Sequence, residues 1–467
     1  MISLRKTKIV TTLGPAVASK EAVTRLILAG MNVARINFSH GDHQQHSFFF
    51  ELVKECATEL NRSVAVLGDL SGPKIRTGNM EKPLMLEAGF DVTISSEDGN
   101  GDIKINNAIV LSDLKPGNLI LLDDGYIELE VVSESSTLVK CRIISGGLLK
   151  SHKGVNFPDL TLSIPVVTEK DKKDAWFGKD LGLDYFALSF VQNANDIKII
   201  KEIAGRTPVI AKIERPQAVA NLDSIIKVAD GFMVARGDLG VEIGPQNVPA
   251  VQKLMIRKAR QYSKPVITAT QILESMINNP APTRAEVSDI ANGVLDGTSA
   301  LMLSGETAVG KYPFKAVEML ASVIEEVENN NFFKINSPEF APHNSFSGAL
   351  SQTAVEIASR LKLKLIVVFS QTGQTAKQIS RYRPGRNIVA FTSQLETLNQ
   401  LSLHWGIIPI YFKIENFKDL QFTKLTQILL EKKLVKPHDK IVITFGSQNN
   451  KPGRTDAIKL HTIPANS

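Results

Sequence analysis

Residues 208–238 read PVIAKIERPQAVANLDSIIKVADGFMVARGD, and this stretch decides the fold class. It begins with a short apolar strand, Pro208–Glu214, passes through a helical pattern and ends in a second apolar strand, Gly231–Asp238. A strand, a helix and a strand in this order predict a parallel sheet, because parallel strands need a long crossover connection.

The same unit recurs along the chain. Eight short apolar strands that end in polar residues and are followed by helical stretches predict an α/β fold, a closed (β/α)8 barrel. The predicted strands are Lys8–Leu13, Asn32–Phe38, Val64–Leu70, Tyr185–Phe190, Pro208–Glu214, Gly231–Asp238, Pro265–Thr270 and Ala300–Glu306.

Two segments break the pattern. Residues 73–158 contain short runs of Val, Ile and Leu between turn signals such as Lys115-Pro116-Gly117, which is typical of a small all-β domain. A second α/β unit begins near Ser345. Its predicted strands are Leu363–Phe369, Ile388–Thr392, Ile407–Phe412 and Lys440–Phe445.

These observations predict the following domains. The barrel occupies residues 1–72 and 159–340, the inserted β domain 73–158, and the C-terminal α/β domain 345–467, with the connection in Asn329–Asn344.

Composition argues against several classes of protein. Of 467 residues, 43% are hydrophobic and 22% charged, and no apolar run approaches the roughly 20 residues that span a bilayer. We expect no signal peptide, no membrane association and a cytoplasmic location. Two cysteines, Cys56 and Cys141, are too few for a disulfide framework or a zinc site. The net charge of +6 comes from scattered residues, so we expect phosphorylated metabolites as ligands and no nucleic acid.

Polar side chains gather where the predicted barrel strands end. Strand residues two apart point to the same face, and barrel interiors are normally filled with Val, Ile and Leu. These ends carry Arg35, Asn37 and Ser39; Asp69; Lys212 and Glu214; Arg236 and Asp238; Thr268 and Thr270; and Ser304 and Glu306. Because barrel enzymes keep their active sites at this mouth, we predict an active site here.

The charged side chains at these strand ends indicate which type of reaction the site favours. Glu214 and Asp238 are oxygen ligands on adjacent strands, and two carboxylates plus a substrate phosphate are a usual Mg²⁺ arrangement. The guanidinium of Arg35 can donate two parallel hydrogen bonds to a phosphate, and the ammonium of Lys212 adds a compact positive charge. Such neutralisation, worth on the order of 10³-fold in rate, is what phosphoryl transfer requires.

The chain resembles the pyruvate kinase family. The matching motifs are specific and occur in the family's order across the barrel and the inserted domain. They are TTLGP at 11–15, ARINFSHG at 34–41, GPKIRTG at 72–78, KGVN at 153–156, AKIE at 211–214, MVARGDLG at 233–240, TATQILESM at 268–276 and LSGETA at 303–308. The resemblance implies transfer of the phosphoryl group from phosphoenolpyruvate to ADP, giving pyruvate and ATP in the last step of glycolysis.

The resemblance also implies roles at the substrate. Glu214 and Asp238 would bind Mg²⁺ or Mn²⁺, and a second ion would arrive with the nucleotide. Arg35 and Lys212 would hold and neutralise the phosphoryl group. The substrate carboxylate would meet Gly237, Asp238 and Thr270, while Thr270 and Ser304 would order the water that protonates enolpyruvate.

The nucleotide is placed by the same resemblance. ADP or ATP would meet Asn37, Phe38, Ser39, His40, Arg76 and Lys153. The inserted β domain would act as a lid that closes over the mouth and excludes water.

One departure from the family pattern concerns potassium. K⁺-dependent members hold the ion near Asn37, Ser39, Asp69 and a neighbouring threonine, and here that threonine position is Leu70. Lys74 replaces a glutamate common in K⁺-dependent members. This resembles the K⁺-independent branch, in which a fixed ammonium supplies the ion's charge. The alternative is a Lys74 that points into solvent.

The C-terminal domain suggests regulation. Ser370-Gln371-Thr372-Gly373-Gln374-Thr375 joins a strand to a helix, and a helix N-terminus binds anions. A plain helix cap without a ligand is the alternative. The family binds a phosphorylated sugar activator at this loop, and the resemblance implies a homotetramer.

Two other functions stay open at this point. A Mg²⁺-dependent lyase or aldolase that forms a pyruvate enolate needs Glu214 and Asp238 but not Lys212, Arg35 and a lid. A non-catalytic sugar-phosphate sensor or RNA-binding homologue predicts damaged catalytic positions, whereas these positions are intact.

Overall fold

Eight parallel strands close into a barrel, as predicted. The computed structural model describes residues 4–135, 137–158, 160, 163–330, 345–413, 422–446 and 455–465. Every pair of neighbouring barrel strands is parallel. Strand side chains such as Val10, Leu67, Ile210 and Met233 fill the interior, so the barrel is a packed core.

The first part of the barrel precedes the inserted domain. It consists of β1 (Lys8–Thr12), α1 (Lys20–Ala29), β2 (Val33–Asn37), α2 (His43–Glu59) and β3 (Ala65–Leu70). Strands β1 and β3 are buried along their whole length, as expected for parallel strands covered on both faces.

The inserted domain is all-β, which confirms the prediction. Its strands are β4 (Leu84–Leu86), β5 (Asp91–Ser96), β6 (Ile103–Ile105), β7 (Leu119–Leu122), β8 (Ile127–Glu134), β9 (Leu138–Ser145), β10 (Gly147–Leu149) and β11 (Val155–Asn156). Six of them form one sheet in the order β11-β7-β8-β9-β5-β6, and β4 pairs with β10. An apolar cluster of its own, including Val92, Ile120 and Leu129, packs this domain.

The second part of the barrel contains five strands and most of the helices. Its elements are α3 (Glu169–Leu181), β12 (Tyr185–Leu188), α4 (Ala194–Ala204), β13 (Val209–Ile213), α5 (Pro216–Ala220), α6 (Leu222–Val228), β14 (Gly231–Ala235), α7 (Arg236–Ile243), α8 (Val248–Gln261), β15 (Val266–Ala269), α9 (Arg284–Asp296), β16 (Ala300–Leu303), α10 (Gly305–Ala308) and α11 (Pro313–Asn329). Around the barrel the order is β1-β16-β15-β14-β13-β12-β3-β2.

Local sequence explains where several of these helices begin and end. Helix α3 starts at a capping box in which Thr168 and Asp171 exchange side-chain and backbone hydrogen bonds. Helix α9 starts in the same way at Thr283, and glycines in the left-handed conformation end both helices, at Gly182 and Gly297.

The C-terminal domain is a five-stranded α/β unit. Its elements are α12 (Phe346–Arg360), β17 (Leu365–Phe369), α13 (Gln374–Arg381), β18 (Asn387–Thr392), α14 (Leu395–Gln400), β19 (Ile407–Tyr411), α15 (Phe422–Glu431), β20 (Lys440–Phe445) and β21 (Ala457–Thr462). The sheet order is β19-β18-β17-β20-β21, and β21, absent from the prediction, is antiparallel to β20.

The C-terminal domain packs under the barrel, opposite the mouth. Lys8 at the start of β1 donates to Ile407 O at 2.7 Å, and Tyr185 at the start of β12 donates to Gln400 O at 2.8 Å. Most of the predicted connection, residues 331–344, lies outside the described residues, and the exact domain boundaries stay a prediction. No helix in the described ranges is long and apolar enough to cross a bilayer.

Candidate active site

A cavity of about 110 Å³ lies at the mouth of the barrel. Its walls come from residues at or just beyond the C-terminal ends of the strands. The predicted residues that line it are Arg35, Asn37, Ser39, His40, Lys74, Arg76, Lys212, Glu214, Asp238, Thr270 and Ser304. Groups far apart in sequence are therefore brought to one place.

Lys212 is the centre of a buried charge network in this cavity. Its ammonium lies 3.2 Å from Asp69 Oδ1 and 3.0 Å from Glu214 Oε1, and it donates to Ser189 Oγ at 2.7 Å. Burial alone would lower the pKa of Lys212, but the two carboxylates outweigh it and hold this pKa above its ordinary value. Lys212 is therefore charged at neutral pH.

Asp69 holds two cations at once. Its Oδ2 accepts from Arg35 Nε at 2.7 Å while its Oδ1 faces Lys212, and Arg35 Nη1 also donates to Thr12 Oγ1 at 3.0 Å. Burial would raise the pKa of Asp69, but Lys212 and Arg35 together hold it below its ordinary value. This carboxylate therefore fixes a guanidinium and an ammonium side by side.

Two carboxylates of the cavity are suited to a divalent cation. Glu214 Oε2 accepts from the backbone N–H of Phe190 at 2.7 Å, which orients the carboxyl group, and Asp238 lies in the first turn of α7. Burial raises the pKa of Glu214 despite the nearby Lys212, so a cation that offsets the buried negative charge fits this position.

The ligand set matches magnesium better than zinc. Within the described ranges, no group of three or more His, Cys, Asp or Glu side chains could hold a metal ion. Mg²⁺ usually takes one or two carboxylates and completes its shell with water and substrate phosphate, whereas zinc needs three or four protein ligands.

Strand ends at the mouth adopt conformations that are rare outside glycine. Phe190 after β12 and Thr270 after β15 have φ of 57° and 66°. Non-glycine residues in this region are held there by their surroundings and concentrate at functional sites. Thr270 Oγ1 accepts from the N–H of Gly237 at 2.8 Å, which ties β15 to α7.

The predicted same-face pairs Arg236–Asp238 and Ser304–Glu306 are wrong, because β14 and β16 end earlier than predicted. Arg236 begins α7 and pairs with Asp289 at 2.6 Å instead of lining the cavity. Glu306 lies in α10, where its carboxylate accepts from the N–H of Ser304 at 2.7 Å. Both side chains bond to backbone groups at the mouth, Arg236 to the carbonyl of Thr270 and Glu306 to the N–H of Ser304.

The residues predicted to meet the nucleotide are only partly together. Asn37, Ser39, His40 and Arg76 line the cavity. Gly237, predicted instead to meet the substrate carboxylate, lines the neighbouring cleft between α7 and the inserted domain. The side chain of Phe38 is fully buried, so only its backbone is available. Lys153 lies in the inserted domain, outside the cavity lining, and its ammonium pairs with Asp123 at 2.7 Å.

Cationic side chains lie in the region where K⁺-dependent family members hold potassium. Lys74 lines the cavity, and its ammonium lies 3.6 Å from Asp238 Oδ1. The Lys74 side chain is 37% exposed, so its ammonium lies at the rim of the cavity, close to Asp238 and open to solvent. Leu70 is fully buried and offers no side-chain oxygen, while Asp69 is occupied by Arg35 and Lys212.

Sequence reasoning missed several lining residues. Ser71, Ser189 and Phe190 belong to the cavity wall, and Ser189 receives the hydrogen bond of Lys212 and donates to Leu70 O at 2.7 Å. The sequence pattern could have identified Ser189, since it is the second-to-last residue of the predicted strand Tyr185–Phe190, as Asp69 is of Val64–Leu70. Ser71 Oγ is buried and has no hydrogen-bond partner among the described residues.

The loop Ser370–Thr375 lies at the N-terminus of α13, far from this cavity. Gly373 has φ of 73° and precedes the helix. Thr372 is exposed, whereas Thr375 is buried and its hydroxyl shares a 2.6 Å hydrogen bond with Thr455. Of the two threonines, only Thr372 is open to a ligand here.

Comparison with known proteins places this geometry in context. The family model described as "Pyruvate kinase, barrel domain" matches residues 4–317, and the one described as "Pyruvate kinase, alpha/beta domain" matches residues 348–461. "Pyruvate kinase 2" of Synechocystis sp. is 42% identical, with 99% of this chain and 80% of the relative covered. "Pyruvate kinase" of Staphylococcus aureus (strain MRSA252) is 41% identical, with 98% and 81% covered.

A solved structure agrees with the sequence comparison. The crystal structure of a pyruvate kinase from Cryptosporidium parvum superposes with a TM-score of 0.91 at 34% identity, and 99% of this chain and 97% of that one are covered.

Proposed function

The chain belongs to the pyruvate kinase family, and from this premise we propose which of its residues perform each step of phosphoryl transfer from phosphoenolpyruvate to ADP. The observation that carries the proposal is the position of Lys212, whose ammonium lies within 3.2 Å of both Asp69 and Glu214 in the cavity that Arg35 and Asp238 also line.

Glu214 and Asp238 would hold the divalent cation. When bound, Mg²⁺ or Mn²⁺ supplies positive charge to the substrate carboxylate and phosphate, and a second ion comes with the nucleotide. The fixed orientation of Glu214 by the N–H of Phe190 supports this assignment, because ligands that are already aligned lose less freedom on binding.

Lys212 and Arg35 would neutralise the phosphoryl group as it moves. Both cations are fixed by Asp69 before substrate arrives, so little reorganisation is needed during the reaction. Thr270 and the amides of α7 would hold the substrate carboxylate, and the Thr270 and Ser304 hydroxyls would order the water that protonates enolpyruvate.

The test is Lys212→Met in a coupled assay for pyruvate formation from phosphoenolpyruvate and ADP. We expect kcat to fall by at least about 10³-fold, since one charge at the transferring group is lost. Lys227→Met, on the exposed side of α6, is the matched control and should keep full activity. Full turnover by Lys212→Met at an unchanged melting temperature would overturn the assignment.

We propose that potassium is not required. The support is the Lys74 ammonium, 3.6 Å from Asp238 Oδ1, together with a buried Leu70 and an Asp69 that already has two cationic partners. The fixed ammonium would supply the charge that the monovalent ion brings elsewhere in the family.

Potassium-free buffer with a large organic counter-ion tests this proposal. Wild-type activity should be nearly equal with and without K⁺. Lys74→Glu should lose about a hundredfold in kcat without K⁺, as expected for a lost charge at the site, and should recover when K⁺ is added. A wild-type enzyme that itself needs K⁺ would refute the proposal.

We also propose that the loop Ser370–Thr375 binds a sugar-phosphate activator. The exposed Thr372 and the N-terminus of α13 support it, because free amides and the helix dipole attract phosphate. Thr372→Ala should abolish activation by a panel of sugar phosphates and keep basal catalysis. Activation that survives in this variant would place the effector elsewhere.

Assembly and location complete the proposal. We infer a homotetramer from family membership, to be checked by light scattering, and a cytoplasmic location. Cys56 and Cys141 are both buried free thiols, as expected in a reducing compartment.

A further inference from the structure

The turn that follows β2 is held by side chains that do not line the cavity. Lys170 of α3 donates to Phe38 O at 2.7 Å, and the His46 ring of α2 donates to His40 O at 2.8 Å. We propose that His46, Lys170 and Asp174, the carbonyl clamp, are positioning residues that fix the nucleotide-binding turn Asn37–His40. This inference rests on the proposed assignment of that turn to the nucleotide.

Asp174 anchors the clamp. It is only 4% exposed, its Oδ2 pairs with Lys170 Nζ at 2.6 Å, and its Oδ1 lies 2.8 Å from His43 Nε2. The His43 ring in turn stacks on Phe177 with a centroid separation of 4.0 Å and an interplanar angle of 2°. One buried carboxylate therefore aligns side chains from α2 and α3 beneath the same turn.

His46 acts in the clamp as a neutral donor. A backbone carbonyl can only accept, so the proton of the His40 contact is on Nε2. Nδ1 is buried and has no hydrogen-bond partner in the described part of the chain, and burial lowers the pKa of His46. A neutral amide that reaches the same carbonyl should therefore replace the imidazole.

The two held carbonyls add to hydrogen bonds inside the turn. Within it, the N–H of Ser39 donates to Asn37 Oδ1 at 3.1 Å and the N–H of His40 to Asn37 O at 3.2 Å. Because each peptide is planar, a held carbonyl also fixes the direction of the following N–H. Asn37, Ser39 and His40 line the cavity from this turn.

The clamp should act on the nucleotide and leave phosphoenolpyruvate binding intact. Arg35 and Lys212 are held by Asp69, and none of the three clamp residues contacts that carboxylate in the structure. Loosening the turn should therefore raise the KM for ADP while the KM for phosphoenolpyruvate stays nearly constant.

Steady-state kinetics on full-length variants test this separation. Lys170→Met and His46→Leu should each raise the KM for ADP about tenfold, the effect of one lost hydrogen bond, with less than about a twofold change for phosphoenolpyruvate. His46→Gln should restore most of the loss, since its amide can donate to His40 O. Lys172→Met removes an exposed ion pair with Glu169 on the same helix and is the matched control.

Asn37→Ala tests the nucleotide assignment independently of the carbonyl clamp. If Asn37→Ala raises the KM for ADP but Lys170→Met and His46→Leu do not, the clamp has no positioning role. If Asn37→Ala has no effect either, the nucleotide assignment itself falls. A parallel rise of both KM values with a lower melting temperature would show a purely structural role. If His46→Leu does not fold, the half-exposed Lys170 still decides the question.

Discussion

Asp69 shows how one side chain prepares the site. It is almost fully buried, and both of its oxygens face cations, Arg35 at 2.7 Å and Lys212 at 3.2 Å. A buried carboxylate is costly unless it is paired, and two cations side by side repel unless a carboxylate lies between them. The three groups therefore stabilise each other, and Asp69 holds both cations where we propose that the phosphoryl group binds.

Asp69→Asn tests this arrangement. The amide keeps the shape but removes the charge that holds Lys212 and Arg35, so we expect kcat to fall by about a hundredfold, as for a lost transition-state electrostatic contact. Asp184→Asn is the matched control. It removes another buried carboxylate, paired with Lys54 at 2.7 Å and remote from the cavity, and should lower the melting temperature with little change in kcat. Equal kinetic losses in the two variants would contradict the role of Asp69.

At the scale of elements, α7 connects three parts of the site. Its first turn carries Asp238, its Gly237 N–H is bound to Thr270, and one turn later Glu242 accepts from Asn156 of β11 at 2.9 Å. Glu242 is buried, and burial raises the pKa of its carboxyl group. The short helix is therefore fixed to the barrel at one end and to the inserted domain at the other.

Asn156→Leu should uncouple these elements. Glu242 would lose its donor from the inserted domain, at a cost of about 1–3 kcal/mol. If the inserted domain acts as the expected lid, kcat/KM for ADP should fall about tenfold, because the domain is no longer tied to α7. Glu242→Gln keeps an acceptor for Asn156 and should stay near wild type. Asn100→Leu, at an exposed position of the same domain, is the control. If Asn156→Leu behaves like Asn100→Leu, the contact does not matter for closure.

The same elements show how far sequence alone reaches. Strands of the barrel were predictable, because each is a short apolar run with polar residues at its end. The same pattern predicted that Lys212, Glu214 and Asp238 lie together, and all three line one cavity. The alternation of side chains could not show that β14 ends at Ala235. Helix α7 begins at Arg236, inside the segment Gly231–Asp238 that was predicted as one strand. The contact between Asn156 and Glu242 was also invisible, because it joins segments with no shared pattern.

At the scale of the molecule, the barrel separates two interfaces. The inserted domain contacts α7 beside the mouth through Asn156 and Glu242. The C-terminal domain packs on the base through Lys8, Tyr185 and Arg383, whose guanidinium donates to Gly297 O at 2.8 Å. If the proposed sugar-phosphate activator binds the C-terminal domain, its effect on the cavity has to cross the length of the barrel.

The base interface should make stability depend on pH. Burial lowers the pKa of Lys8 to about 7, with Arg5 lowering it further and Glu328 opposing, while an unfolded lysine has a pKa of about 10.4. Between these values the unfolded chain binds a proton that the folded chain has released, so the free energy of unfolding rises with pH, by up to about 1.4 kcal/mol per pH unit. The neutral amine still donates to Ile407 O.

Lys8→Met removes this titration. The melting temperature of the wild type relative to Lys8→Met should rise steadily from pH 7 to about pH 9.5. In this range protonation of Lys8 favours the unfolded wild type, and a higher pH weakens that effect, whereas Lys8→Met has no amine to protonate at this position. Lys227→Met, which removes an exposed ammonium, should follow the wild type at every pH. Parallel melting curves for wild type and Lys8→Met would mean that Lys8 stays charged at the interface, where Glu328 would then have to offset its burial.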